Sequence, residues 1–245
     1  MERIRKTARR VLAFFDDLLF PDHVRCLCCT RALDEREQDG LCPDCVMALE
    51  RLAARREEQS REAGEPLPPG IDYVSAAFPY EDQAKTLIRR LKFSRIRRAA
   101  TPLARAMAML PGGDEEILVP VPTTKKRLKN RGFNQAQVLA EAIAGELGMG
   151  VSCALSREDE RAAQATLPER KRRLNVANCM RADTSVKGRR VLLVDDVYTT
   201  GATAAEAARA LREAGARGVG VFVAAKTVPP RKRPGLFGTG KRANF

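Results

Sequence analysis

The segment Val191-Leu-Leu-Val-Asp-Asp-Val-Tyr-Thr-Thr-Gly-Ala-Thr203 carries the most specific chemistry in this 245-residue chain. Its four leading apolar residues, Val191 to Val194, predict a strand buried on both faces. Asp195 and Asp196 follow at the carboxyl end, where open α/β sheets bind ligands. Small residues then open a helix. Thr199, Thr200 and Thr203 offer hydroxyls, while Gly201 and Ala202 let backbone N–H groups approach an anion closely. A helix N-terminus with free amides suits a phosphate dianion. Two acids beside a phosphate cradle are costly unless they serve another part of the ligand. A ribose 2′,3′-diol or a magnesium ion would satisfy them. The alternative is an ordinary strand-turn-helix with Thr or Asp as N-cap, which gives no reason for paired acids at a buried strand end.

Outward from this segment the pattern alternates. Strands are expected at Tyr73 to Pro79, Ile117 to Val121, Val151 to Leu155, Arg190 to Val194 and Gly218 to Ala225. Helices are expected at Gln83 to Arg95, Ala99 to Leu110, Asn134 to Leu147 and Thr203 to Ala214. Alternating strands and helices predict an α/β fold with a mainly parallel sheet. Gly64-Glu-Pro-Leu-Pro-Pro-Gly70 cannot continue a helix and reads as a linker. The expected organisation is an amphipathic helix within 1–20, a cysteine-rich unit with its following helix at 21–64, an α/β domain at 71–228 and a basic tail at 229–245.

Cys26-x-x-Cys29 and Cys42-x-x-Cys45 form two knuckles, each aiming two sulfurs at one point. Four thiolates in a tetrahedron suit zinc at about 2.3 Å per bond. A filled four-thiolate site has no open position for water, so the expected role is structural. An iron–sulfur cluster takes the same ligands. Cys28 is the spare of the cluster, and Cys153 and Cys179 are expected as buried small apolar residues.

Composition bounds the function further. The net charge of +13 points toward anionic partners. A single histidine, His23, excludes most Ser-His-Asp and Cys-His catalysis. No apolar run approaches the roughly 20 residues that span a bilayer. With clustered C-x-x-C pairs, this predicts a cytoplasmic protein. The basic helix within 1–20 leaves peripheral membrane contact open.

Lys125, Lys126, Arg127, Lys129 and Arg131 place five cations in seven residues, between the strand ending at Val121 and the helix starting near Asn134. Gly132 reads as a tight turn and Asn134 as an N-cap. On the residues alone, a solvated basic loop and a grip on pyrophosphate or a nucleic-acid backbone are both open. The charged stretch Ser156 to Arg173 is a candidate lid, with Arg157, Arg161, Arg170, Lys171, Arg172 and Arg173 able to close over phosphates.

Two resemblances sharpen this reading. The segment 191–203, with its paired acids and Thr-Thr-Gly-x-Thr, resembles the phosphoribosyl pyrophosphate signature of type I phosphoribosyltransferases. That resemblance implies that Asp195 and Asp196 hold the ribose hydroxyls and that Thr199, Thr200, Gly201, Ala202 and Thr203 hold the 5′-phosphate, with Mg2+ accompanying the ligand. Many such proteins carry a second glycine where this chain has Ala202. Arg131-Gly-Phe-Asn-Gln135, the preceding four-cysteine module, and Gln164, Leu167, Arg172 and Asn175 together resemble the ComF family of competence-associated proteins. The ComF family usually places an aromatic residue shortly after that asparagine, where this chain has Asn178, Cys179 and Met180. The implied fold is a type I phosphoribosyltransferase-like domain preceded by a small zinc module. The implied partners are phosphoribosyl pyrophosphate, single-stranded DNA and the DNA-uptake machinery. Lys125, Lys126, Arg127, Arg131, Gly132 and Arg172 are the expected contacts to pyrophosphate or to a nucleic-acid backbone. The alternative is an active transferase with another acceptor. Phe93 and Phe133, each set among cations, are the candidate stacking residues for single-stranded DNA.

Overall fold

The computed structural model describes residues 25–34, 40–62, 66–157 and 179–227. The expected helix within 1–20, most of the candidate lid and the basic tail lie outside these residues. At the centre is a five-stranded parallel sheet in the order β1-β7-β6-β2-β3, with β1 at Tyr73–Pro79, β2 at Ile117–Pro120, β3 at Gly150–Val151, β6 at Arg190–Tyr198 and β7 at Gly218–Lys226. A second, antiparallel pair joins β4 (Leu155–Arg157) to β5 (Met180–Ala182). The apolar run Val151 to Leu155 therefore divides. Its start pairs with β2, and its end leaves the main sheet to pair with β5, which no alternation in the sequence announces.

Helices cover both faces of the sheet, as parallel strands require. Val191 and Leu193 point into the cluster beneath α6 (Ala202–Glu213), with Ala204, Ala207, Ala208 and Leu211. Leu192 and Val194 point into the opposite cluster, which holds α2 (Asp82–Arg89), α3 (Ala100–Ala108) and α5 (Gln135–Leu147) through Leu87, Ile88, Leu103, Met107, Leu139 and Ile143. Cys26, Leu27, Cys42 and Cys45 belong to that same cluster. So do Leu49 and Leu52 of α1 (Pro43–Glu62).

Two local departures shape the site. The helix expected over Gln83 to Arg95 is α-helical only to Arg89. It continues as a π-helical turn, Arg90–Ser94, that Arg95 ends in the left-handed conformation (φ 59°). The wider turn buries Leu91 completely and leaves Phe93 68% exposed on the other side. The basic stretch after β2 is a short helix, α4 (Lys125–Arg131), not an open loop. Thr124 caps it by accepting the Arg127 N–H, and Gly132 closes it at φ 83°.

Candidate ligand cleft and cysteine cluster

At the carboxyl ends of β2 and β6 lies a cleft of about 460 Å3. Asp195, Asp196, Thr199 and Thr203 line one side. Val121, Pro122 and Thr123 line another, followed by Arg127 and Arg131 of α4 and by Asn134, Gln135 and Ala136 at the start of α5. Lys92 and Phe93 of the π turn, Tyr80, Thr227 and Arg157 complete the wall.

The turn after β6 owes its shape to Gly201. This residue begins α6 at φ 76°, and a Cβ there would collide with the Tyr198 phenol and crowd Pro68. Only glycine fits. Thr199 and Thr200 are exposed, Thr203 is half-buried, and the Ala202 N–H reaches Thr200 Oγ1 at 3.4 Å. The methyl of Ala202 is exposed and therefore accommodated. The turn is open, and Thr199 and Thr203 line the cleft at the start of a 12-residue helix on the side where the acids stand, whereas Thr200 and Ala202 are exposed and not among the lining residues.

The two acids differ. Asp195 continues the row of Val191 and Leu193, and its Oδ1 accepts the Asp196 N–H at 2.8 Å. Burial, and then the charge of Asp196, push its carboxyl up to about 7 against the pull of that N–H, Lys92 and Arg127. Asp196 is 8% exposed and meets Lys92 Nζ at 2.9 Å.

The basic side is braced. Arg95 donates to the Asn130 carbonyl oxygen at 2.5 Å, Arg131 lies over the Phe93 ring at 5.5 Å, and Arg97 over the Phe133 ring at 4.9 Å. Asn134 caps α5 through the Ala136 N–H while its own amide donates to the Val121 carbonyl oxygen at 2.9 Å. This ties the strand end to the helix start. Burial and the neighbouring Arg127 charge lower the Arg131 pKa, with Asp196 opposing.

Of the residues singled out in the sequence, the cleft brings together Asp195, Asp196, Thr199, Thr203, Arg127, Arg131 and Arg157. Gly201 shapes the turn from a small recess beside Asp195. Lys125 and Lys126 are exposed on α4 and are not among the lining residues. Gly132 acts as a helix stop, and Arg172 lies outside the described residues. Sequence reasoning missed Lys92, Tyr80, Gln135 and Thr227. The signal for Lys92 is the run Arg89 to Arg98, with six cations in ten residues around Phe93.

The sulfur atoms of Cys26, Cys29, Cys42 and Cys45 all lie within 4.8 Å of one another. Cys26 Sγ accepts the Cys28 and Cys42 N–H groups at 3.4 Å each. Burial opposes ionisation of Cys26, but the N–H donors of Cys29, Cys42 and Cys28 outweigh it and bring its thiol down to about 7. Such a donor set fits a tetrahedral thiolate-bound metal. Cys28 stands apart. Burial pushes its thiol up to about 12, and it lies 3.9 Å from the Gln83 carbonyl oxygen at the start of α2. Cys153 is exposed and Cys179 half-buried, so neither is the fully buried residue expected. Among the described residues no helix is long and apolar enough to cross a membrane.

Comparison with known proteins places this architecture. The phosphoribosyl transferase domain family matches residues 129–234. The DNA utilization protein YhgH of Salmonella typhimurium is 33% identical over 212 residues, covering 83% of this chain and 90% of its own. The chain belongs to the ComF family. Competence protein ComFC of Streptococcus pneumoniae is 28% identical over 220 residues, covering 89% of this chain and 95% of its own. Among solved structures, glutamine phosphoribosylpyrophosphate (PRPP) amidotransferase from B. subtilis aligns with TM-score 0.43 at 21% identity, over 56% of this chain and 30% of that chain. On the domain match at 129–234 and its own parallel sheet, this ComF chain is a type I phosphoribosyltransferase-like protein with a four-cysteine unit packed in the same apolar cluster as its first helices.

Proposed function

We propose that this ComF protein binds phosphoribosyl pyrophosphate in the cleft between β2, β6 and the π turn, and that it serves DNA uptake or utilisation in the cytoplasm. The single observation that carries the ligand reading is the pairing of an open phosphate-sized turn with two acids in one positive cleft. Four cations, Lys92, Arg127, Arg131 and Arg157, face two carboxylates there. In this reading the 5′-phosphate sits on Thr199 to Thr203, where helix amides and hydroxyls donate to it. The ribose diol donates to Asp195 and Asp196. The pyrophosphate meets the cations of α4. Hard carboxylate oxygens also fit Mg2+, which would neutralise pyrophosphate charge when bound. The DNA role rests on the names of the relatives, a DNA utilization protein and a competence protein, together with the net charge of +13. Contacts to a phosphate backbone would weaken steeply with salt. The four-cysteine cluster holds a structural zinc ion in this reading.

Calorimetry with phosphoribosyl pyrophosphate and Mg2+ tests the ligand reading. Wild type is expected to bind, and the Asp195→Asn, Asp196→Asn double variant to lose at least about tenfold in affinity, as expected for losing charge-assisted hydrogen bonds. Equal binding by both proteins refutes the assignment. Pyrophosphate release with any acceptor in the same samples would identify the protein as a transferase.

A further inference from the structure

Lys92 has no role in the reading above beyond its charge, yet among the described residues it is the cleft cation paired with one of the two acids. It projects from the only π-helical turn among the described residues. That turn is locked to α4 by the Arg95 to Asn130 hydrogen bond and by Arg131 over Phe93. Its side chain is only 20% exposed, and its Nζ lies 2.9 Å from Asp196 Oδ1. Among the described residues the lining acids are Asp195 and Asp196, so Lys92 occupies the carboxylate that the ribose diol or Mg2+ would need. A ligand that takes Asp196 Oδ1 displaces the ammonium, and a largely buried ammonium then needs a new anion. Arg127 and Arg131 line the same cleft, where the ligand's pyrophosphate is read to sit, and a flexible four-carbon side chain can turn from one partner to another.

We propose that Lys92 is a pyrophosphate-binding residue kept in reserve by Asp196: it neutralises that acid in the free cleft and passes to the ligand's pyrophosphate when the diol and Mg2+ take its place. This rests on the phosphoribosyl pyrophosphate reading. It gives the buried Asp196 a partner before the ligand arrives, and it couples ribose recognition to pyrophosphate recognition through one side chain. A lysine suits the exchange better than an arginine, because its point charge moves between partners without a fixed fork geometry.

The test compares two ligands on one variant. Calorimetry with phosphoribosyl pyrophosphate and with ribose 5-phosphate, each with Mg2+, is run on wild type, Lys92→Met and Lys92→Arg. Thermal unfolding checks that the variants fold. For Lys92→Met the expected result is a loss of about ten- to hundredfold for phosphoribosyl pyrophosphate, the range for one charge-assisted contact. Ribose 5-phosphate, which lacks the pyrophosphate, is expected to bind unchanged or more tightly because Asp196 is released. Lys92→Arg should recover part of the loss. Equal losses for both ligands, or no loss for either, overturn the assignment. If wild type binds neither ligand, the underlying reading fails, and that outcome is distinct from a failure of Lys92 alone. A Lys92→Met protein that does not fold would leave Lys92→Arg to decide through the same two-ligand comparison.

Discussion

Asp195 is the residue whose protonation links the cleft to pH. Its pKa is raised to about 7 by burial and by Asp196, whereas an unfolded aspartate titrates near 4. A raised carboxyl pKa favours folding fully below the unfolded value, and that contribution fades as pH rises through 7. Ligand binding draws the opposite way, since a carboxylate that accepts hydroxyl protons or holds Mg2+ must be ionised. Affinity for the Mg2+ complex of phosphoribosyl pyrophosphate is thus expected to rise between pH 6 and pH 8, by up to about tenfold per unit below the pKa. Calorimetry in buffers of different ionisation heat should show a proton released on binding at pH 6. In Asp195→Asn the pH slope and the released proton should both vanish. An unchanged affinity across that range in wild type would contradict the assignment.

At the scale of elements, the cleft depends on how the β4 and β5 pair is held against α6. Glu206 is only 5% exposed in the second turn of α6 and accepts the Met180 N–H at 3.0 Å. Arg209 binds Glu206 at 2.8 Å and donates to the Met180 carbonyl oxygen at 3.0 Å. One ion pair therefore satisfies both backbone groups of Met180 and fixes β5 to the helix that carries the phosphate turn. Cutting it leaves the Met180 N–H without its carboxylate, while Arg209 keeps Glu213 and the Met180 carbonyl oxygen. Glu206→Ala is expected to destabilise the fold by about 1–3 kcal/mol, the cost of an unsatisfied buried donor, read as a lower urea midpoint with an unchanged slope. A loss under about 0.5 kcal/mol would show that β5 is held otherwise. The π turn works at this scale too. A regular helix through Gln83 to Arg95 would keep one phase, whereas the wide turn and left-handed Arg95 re-aim the chain so that Leu91 stays buried while Lys92 enters the cleft.

Across the whole molecule, the cysteine cluster and the ligand cleft share one apolar body. Cys26, Cys42 and Cys45 pack in the same cluster as Leu87, Ile88 and Leu91, and the chain runs directly from those residues into Lys92. A metal at the cluster therefore supports the π turn through α2. One zinc ion per chain is expected by elemental analysis. Chelation, or Cys42→Ser, should remove it and lower the unfolding temperature by about 10 °C or more, the effect of losing a few kcal/mol in a chain of this size. Cys28→Ser should retain the metal. Visible absorption of an iron–sulfur cluster in the isolated protein would overturn zinc.

The sequence by itself determined the parallel α/β architecture, the paired acids followed by a small-residue turn, and the four-sulfur cluster; that the turn requires glycine at 201 was decided by the packing of Tyr198. Each of these three is written in local terms: an apolar strand with its punctuation, small residues at a helix start, or knuckles of fixed spacing. The caps at Thr124, Gly132 and Asn134 are equally local, although the short helix between the first two was not foreseen. Tertiary structure alone decided which cations serve the cleft. Lys125 and Lys126 looked equivalent to Arg127 and Arg131 in the sequence, but helical α4 turns only the latter pair inward. Lys92, 104 residues before Asp196 along the chain, reaches it because the π turn brings it into the cleft wall. The pairing of β4 with β5 and its anchor at Glu206 were likewise invisible, since both join segments remote in sequence. Short-range backbone preferences are legible residue by residue, whereas the sharing of charge between distant segments exists only once the chain has packed.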